Sequence, residues 1–285
     1  MSRLPDNAPG PFFVDDTCID CDLCRQIAPE NFAVGQGEYS VVSKQPESVL
    51  ERERAAMALL ACPTGSINTS DAASILPFRE AYPERIEDDV FFCGYASRDS
   101  FGARSYLIAR SEGNVLVDSP RFARPLVRRL EAMGGVRTMF LTHRDDVADH
   151  AKFRKHFGCE RIVHRYEAGT IGAEHLLEGD DEIVLAPELV AIPTPGHTRG
   201  HMVLKYRDQF LFTGDHLAWS PRYEHLIAFR RHNWYSWAET IRSMERLASH
   251  RFEWILPGHG RPAHYSQDQM QRELGRCIAW MNTVA

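Results

Sequence analysis

Four times along this chain an apolar run stops at a small, turn-forming residue beside a side chain that can bind a metal. Met139 to Leu141 leads into Thr142-His143-Arg144-Asp145-Asp146-Val147-Ala148-Asp149-His150, and Leu189 to Ile192 into Pro195-Gly196-His197-Thr198-Arg199-Gly200-His201. Phe210 to Phe212 leads into Thr213-Gly214-Asp215-His216, and Trp254 to Leu256 into Pro257-Gly258-His259-Gly260. Runs of this length, rich in aliphatic and aromatic residues and bounded by Gly and Pro, read as strands. Strands ending this way deliver ligands to one edge of a sheet. Imidazoles and carboxylates are the usual partners of zinc, manganese and iron, and a catalytic site needs several of them plus one open position.

The order of these blocks resembles the metallo-beta-lactamase superfamily, over about residues 86 to 262. Its members carry a His-x-His-x-Asp-His loop, a later His in a Pro-Gly-His-Thr-x-Gly turn, a bridging Asp in a Gly-Asp turn and a last His in a Pro-Gly-His turn. The resemblance implies that His197, Asp215 and His259 are metal ligands, with Asp215 shared between two ions. The first block departs from the family, because Asp145 stands where the second His belongs and Asp149-His150 arrives two residues late. Read as a short insertion, this leaves His143 and His197 at one metal with Asp145 in place of the missing imidazole, and Asp149, His150 and His259 at the other. The alternative reading of Asp145 and Asp146 is as solvated loop acids. An oxygen ligand in place of nitrogen hardens a site and shifts preference from zinc toward manganese or iron; within the superfamily the di-iron flavodiiron proteins also place a carboxylate there.

Of seven cysteines, Cys18, Cys21 and Cys24 form a C-x2-C-x2-C run and Cys62 is followed by Pro63. In bacterial ferredoxins such a run gives three thiolates to one cluster, and its fourth Cys, followed by Pro, goes to the other. Here Ala28-Pro29 occupies that fourth place. Counting upstream from Cys62 at the same spacing meets Ala58, Ala55 and Arg52, none able to hold iron. The segment resembles a ferredoxin that has kept a single [4Fe-4S] cluster on Cys18, Cys21, Cys24 and Cys62. A four-thiolate structural zinc site is the main alternative, and a disulfide framework a poorer one. Cys93, Cys159 and Cys277 sit among apolar neighbours and read as core thiols. Free thiols and a thiolate cluster imply a reducing interior, so the expected location is cytoplasmic.

At 285 residues the chain has room for two domains. The boundary is expected in the proline-rich, charged stretch 76 to 86, giving a ferredoxin-like α+β domain over 1–80 and a metallo-beta-lactamase-like domain over 86–285. The resemblance names the latter's layering αββα, so the fold class is α+β. A net charge of -6 argues against nucleic acid as a partner, and no apolar run is long enough to span a membrane. Strands are expected at 12–14, 39–42, 90–93, 104–108, 114–117 and 161–163, and helices at 46–61, 121–133, 236–250 and 267–282. The stretch 216–235, rich in Trp, Tyr, Arg and His, reads as a lid or pocket wall, with Arg222, Tyr223, Arg230, Arg231 and Tyr235 placed either to meet an anionic substrate or as a solvated basic surface.

One or two divalent ions, with zinc expected first and iron or manganese as alternatives, would acidify a bound water. The expected activity is therefore hydrolysis of an ester, thioester, lactone or phosphoester in a small molecule, with Asp149 or Asp215 orienting the water. His201 reads either as a donor of a proton to the leaving group or as a surface or supporting His. Plain hydrolysis needs no iron-sulfur cluster, which moves single electrons. Two competing readings follow: a redox enzyme fed by the cluster and a redox partner protein, and a non-catalytic sensor or binding protein.

Overall fold

The computed structural model describes residues 2–284; the outermost residues of the two expected domains, Met1 and Ala285, lie outside it. Two compact units are present. The first runs to Arg137 and takes in Ala148–Gly158; the second is Thr138–Val147 with the chain from Cys159 onward.

In the first unit, β1 (Phe12–Val14) is followed by α1 (Leu23–Ile27), β2 (Phe32–Val34), β3 (Ser40–Val42), α2 (Val49–Ala61) and β4 (Ile67–Thr69). β1 pairs antiparallel with β4 and β2 with β3. Ser48 opens α2: its hydroxyl accepts the Glu51 N–H while the Glu51 carboxylate accepts the Ser48 N–H, a reciprocal cap that frees neither donor. Pro46 and Glu47, expected in this helix, precede the cap. Ala55, Ala56, Ala58 and Ala61 are fully buried, so the small residues of α2 let it pack closely, and it ends at Cys62. Beyond it, β5 (Glu84–Glu87), β6 (Val90–Phe92), β7 (Tyr106–Ile108) and β8 (Val115–Val117) form an antiparallel meander. Helix α3 (Arg124–Ala132) and helix α4 (His150–Phe157) complete the unit.

In the second unit, β9 (Thr138–Phe140), β10 (Glu160–His164) and β11 (His175–Leu177) pair in parallel. A six-stranded sheet has the order β12 (Ile183–Ala186), β13 (Leu189–Pro193), β14 (Met202–Tyr206), β15 (Phe210–Gly214), β18 (Trp254–Pro257) and β19 (Ala263–His264). Its one parallel pair, β15 with β18, is crossed by α5 (Trp237–Leu247). Two strands between β15 and α5, β16 (Ala218–Ser220) and β17 (His225–Ile227), make a hairpin inside the stretch read as a lid. Leu217, Ala218 and Leu226 are wholly buried, so part of that stretch belongs to the core. α6 (Gln267–Thr283) closes the chain.

The core under this sheet joins Leu211 of β15 and Ile255 of β18 to Trp237, Met244 and Leu247 of α5 and to Met270, Leu274 and Met281 of α6. Ile241 packs against it as expected of the apolar face of α5. Cys93, Cys159 and Cys277 are buried, matching their reading as core thiols. Among the described residues no helix is long and apolar enough to cross a membrane.

Because β15 and β18 present Asp215 and His259, a void beneath them reaches the site. Leu211→Ala, at a wholly buried position, is expected to cost about 2–5 kcal/mol. All five tryptophans lie in the second unit. Tryptophan fluorescence during chemical denaturation should therefore show the midpoint lowered with little change in slope.

Candidate metal centre and cluster site

Four strands of the second unit stop at one rim. β9 hands over to Thr142-His143, β13 to the turn holding His197, β15 to Asp215 and β18 to Gly258-His259. The ends are tied by backbone bonds: Met202 N–H donates to Thr142 O at 2.9 Å, Thr194 N–H to His201 O at 2.9 Å and Gly258 N–H to Gly214 O at 2.8 Å.

At this rim His143 Nε2 lies 3.8 Å from Asp215 Oδ2 and 3.9 Å from Asp145 Oδ2, while His197 Nε2 lies 3.7 Å and 3.5 Å from the same two oxygens. Two ligands about 2.1 Å from a tetrahedral ion stand about 3.4 Å apart, so these separations suit one shared centre. Both Nε2 atoms are buried and have no hydrogen-bond partner. Each ring's other nitrogen is engaged. His197 Nδ1–H donates to His232 O at 2.5 Å, and His143 Nδ1 lies 3.0 Å from Thr142 Oγ1. Such bonds fix the tautomer and turn Nε2 toward a metal. The donor set therefore fits a divalent ion held by His143, His197, Asp145 and Asp215.

Charge agrees with geometry. Burial pushes the His143 imidazole down to about 4, so it is neutral and able to ligate at physiological pH. The Asp215 carboxyl is held well below the usual carboxylate range: its burial opposes ionisation, but His259, His143 and His197 outweigh it. His259 Nδ1–H donates to Asp215 Oδ1 at 2.7 Å. Asp145, whose side chain is half exposed, is lowered chiefly by its contact with His197.

Asp149 and His150, expected as ligands, belong to the first unit. Asp149 precedes α4, and its carboxylate takes the Phe122 N–H at 2.7 Å and the Lys152 ammonium at 2.7 Å within its own unit. Neither residue belongs to the two groups with metal-ligand spacing among the described residues, His143–Asp145–His197 and His143–Asp146–Asp215. Asp146 is buried, so the reading of that acid as a solvated loop residue is corrected. His201 also differs from the leaving-group reading. It is wholly buried, its Nε2 accepts the Asp215 N–H at 3.2 Å and its Nδ1 lies 2.9 Å from Thr194 Oγ1. Both ring nitrogens are thus engaged in the interior, Nε2 by the Asp215 turn and Nδ1 by Thr194.

Beside His197, the exposed Trp234 ring stands 6.2 Å away, and the Trp234 backbone N–H donates to His197 O at 2.8 Å. A neighbouring cavity shares the 195–199 turn and is lined by Tyr166, Arg199, Tyr235, Arg242 and Arg246, with acids among its walls. Of the five residues expected to meet an anionic substrate, Tyr235 lines it. Arg222 instead covers the Tyr223 ring and Arg230 the Trp237 ring.

In the first unit Cys18, Cys21, Cys24 and Cys62 line one cavity with Val14, Leu23, Pro63 and Ile67. Ser40 N–H donates to Cys18 Sγ at 3.4 Å, the kind of contact that tunes a cluster's potential. Burial pushes the Cys21 and Cys24 thiols up to about 12, the signature of sulfurs packed together in an apolar shell. Gly102, which no sequence pattern singled out, presses on this cradle at φ +88°. A Cβ there would stand 2.8 Å from Cys21 Cβ and 3.1 Å from its Sγ. The four thiols fit an iron-sulfur cluster.

Residues 99–259 match the family model of the metallo-beta-lactamase superfamily, and residues 14–69 that of the 4Fe-4S single cluster domain of ferredoxin I. A hydroxyacylglutathione hydrolase of Salmonella typhi is 31% identical over 116 residues, covering 39% of this chain and 46% of that protein. The chain thus spans about half the length of the curated relatives it matches. Among solved structures, the DIM-1 metallo-beta-lactamase aligns with a TM-score of 0.57 at 18% identity over 71% of this chain and 96% of that one. A metallo-beta-lactamase from Hirschia baltica aligns at 0.52, 16%, 69% and 95%. These likenesses establish the αββα fold.

Gly102→Ala should strain the backbone and crowd Cys21. Iron and acid-labile sulfide measured on anaerobically purified protein should fall well below the wild-type content of four each per chain, while the divalent ion of the second unit is retained.

Proposed function

The chain belongs to the metallo-beta-lactamase superfamily, and from that membership we propose that it is a metal-dependent hydrolase of a small acyl compound, a thioester before an ester, lactone or phosphoester. The observation that carries the reading is the convergence of His143 Nε2 and His197 Nε2 on Asp145 and Asp215, both nitrogens buried and without another partner. The thioester preference rests on the hydroxyacylglutathione hydrolases it resembles over 116 residues.

A divalent ion held by His143, His197, Asp145 and Asp215 would supply Lewis acidity, lowering the pKa of a bound water and polarising a substrate carbonyl. The chain's own residues supply the rest. His232 O and Thr142 Oγ1 hold the two imidazoles, His201 holds the Asp215 turn, and His259 keeps Asp215 ionised. Trp234 walls one side, and the adjoining cavity, lined by Arg199, Arg242 and Arg246 and by Asp180, Glu239 and Glu245, offers a polar groove for the rest of the substrate. Asp146 and His259, both next to Asp215, are the residues we assign to a second ion. We place the domain boundary at 80–86 and the protein in a reducing, cytoplasmic compartment, where the seven cysteines stay free of disulfides.

A second reading is favoured by the donor set itself. Two carboxylates beside two imidazoles suit iron or manganese better than a nitrogen-rich set does, and the [4Fe-4S] domain gives such an iron an electron source. On that reading the protein is a redox enzyme whose cluster is filled by a redox partner.

Hydrolysis is tested with zinc-loaded full-length protein against a hydroxyacylglutathione thioester, a lactone and a phosphodiester. Thioester turnover should be measurable, and His197→Ala and Asp215→Asn should each lower kcat/KM by about 10³-fold or more, as removal of a catalytic metal's ligand does. Turnover untouched by either change contradicts the proposal. Dioxygen consumption by the iron-loaded protein without hydrolysis favours the redox reading.

A further inference from the structure

A buried carboxylate ties together the two turns that carry the imidazole ligands, and none of the site's motifs contains it. Glu167 lies in the one-turn helix Arg165–Glu167 that follows β10, and its side chain is wholly buried. Its Oε1 accepts the Gly200 N–H at 2.7 Å, and its Oε2 accepts the Arg144 N–H at 3.2 Å with Arg144 Nε 3.5 Å away. Arg144 stands between His143 and Asp145. Gly200 follows His197 by three residues and precedes His201. One side chain thus grips the backbone of both ligand turns.

The grip is built closely. A buried carboxylate is costly unless its oxygens are hydrogen-bonded, and here each oxygen has its own backbone donor. At Gly200 a Cβ would lie 2.6 Å from His164 Nδ1 and 3.0 Å from both Cγ and Oε1 of Glu167, so the close approach needs a residue with no side chain. His164 Nδ1 accepts the Tyr166 N–H at 3.2 Å, which anchors the turn that presents Glu167.

We propose that Glu167 is a positioning residue of the metal centre: by clamping the Arg144 and Gly200 amides it sets the separation of His143 and Asp145 from His197 before an ion arrives. The proposal rests on these residues holding the ion. Its gain is preorganisation, because a site already in its bound geometry spends less of its binding energy on ordering loops. Glu167→Gln keeps one acceptor but turns an amide N–H toward the other backbone donor; Glu167→Ala removes both acceptors.

The test is calorimetric titration of Zn2+ into metal-depleted full-length protein with its iron-sulfur cluster intact, alongside the melting temperature of the metal-free form. Glu167→Ala should raise the Zn2+ dissociation constant about 10- to 100-fold, as loss of supporting bonds around a metal does. Glu167→Gln should fall between it and wild type. Gly200→Ala, which leaves the carboxylate present but displaces it, should weaken Zn2+ likewise and serves if Glu167→Ala does not fold. Variants with a lowered melting temperature but wild-type Zn2+ affinity would overturn the proposal and leave Glu167 a stability residue only. Failure of wild type to bind Zn2+, or binding that His197→Ala leaves intact, would overturn the metal reading itself.

Discussion

Two imidazole nitrogens buried without a hydrogen-bond partner are the constraint around which the second unit is arranged. An unsatisfied buried polar atom costs about 1–3 kcal/mol, so a fold that keeps two of them 3.5–3.9 Å from a shared pair of carboxylate oxygens sets stability against binding. The surroundings keep both rings from relaxing. His232 O and Thr142 Oγ1 hold their far nitrogens, His201 holds the Asp215 turn from behind, and the core of α5 and α6 supports the strands beneath. A ligand ion offsets the cost and draws on a geometry already in place.

The cysteine site follows the same logic with different chemistry. Desolvation keeps the Cys21 and Cys24 thiols protonated at neutral pH, yet cluster iron binds thiolate. Cluster assembly therefore releases protons. Each site is shaped by a glycine that leaves room for a neighbour: Gly102 against Cys21, Gly200 against Glu167.

Much of this was legible in the chain, and the reason is periodicity. Apolar runs ending in Thr-His, Pro-Gly-His or Gly-Asp mark strand ends, so the places of His143, His197, Asp215 and His259 could be read directly, while the superfamily and the single-cluster ferredoxin from Cys18 to Pro63 came from the resemblance of these motifs to known families. The acids after His143 could not be sorted. Asp145, Asp146 and Asp149 share a loop with no repeating pattern, and only the fold buries Asp146 while giving Asp149 to Phe122 and Lys152. Glu167 carries no local signal, since its partners are brought to it by the turns after β9 and β13. The hairpin of β16 and β17 was hidden because its aromatic and basic residues resemble a surface loop until Leu217 and Leu226 are seen in the core.

The central claim is that nitrogen and oxygen donors from three distant strand ends, those of β9, β13 and β15, share one ion. It is tested most directly by extended X-ray absorption at the zinc edge of zinc-loaded full-length protein that retains its cluster. The account predicts a shell of nitrogen and oxygen at about 2.0–2.2 Å, with the outer scattering of two imidazoles and no sulfur. A shell dominated by sulfur at about 2.3 Å would put the zinc on cysteines and contradict it.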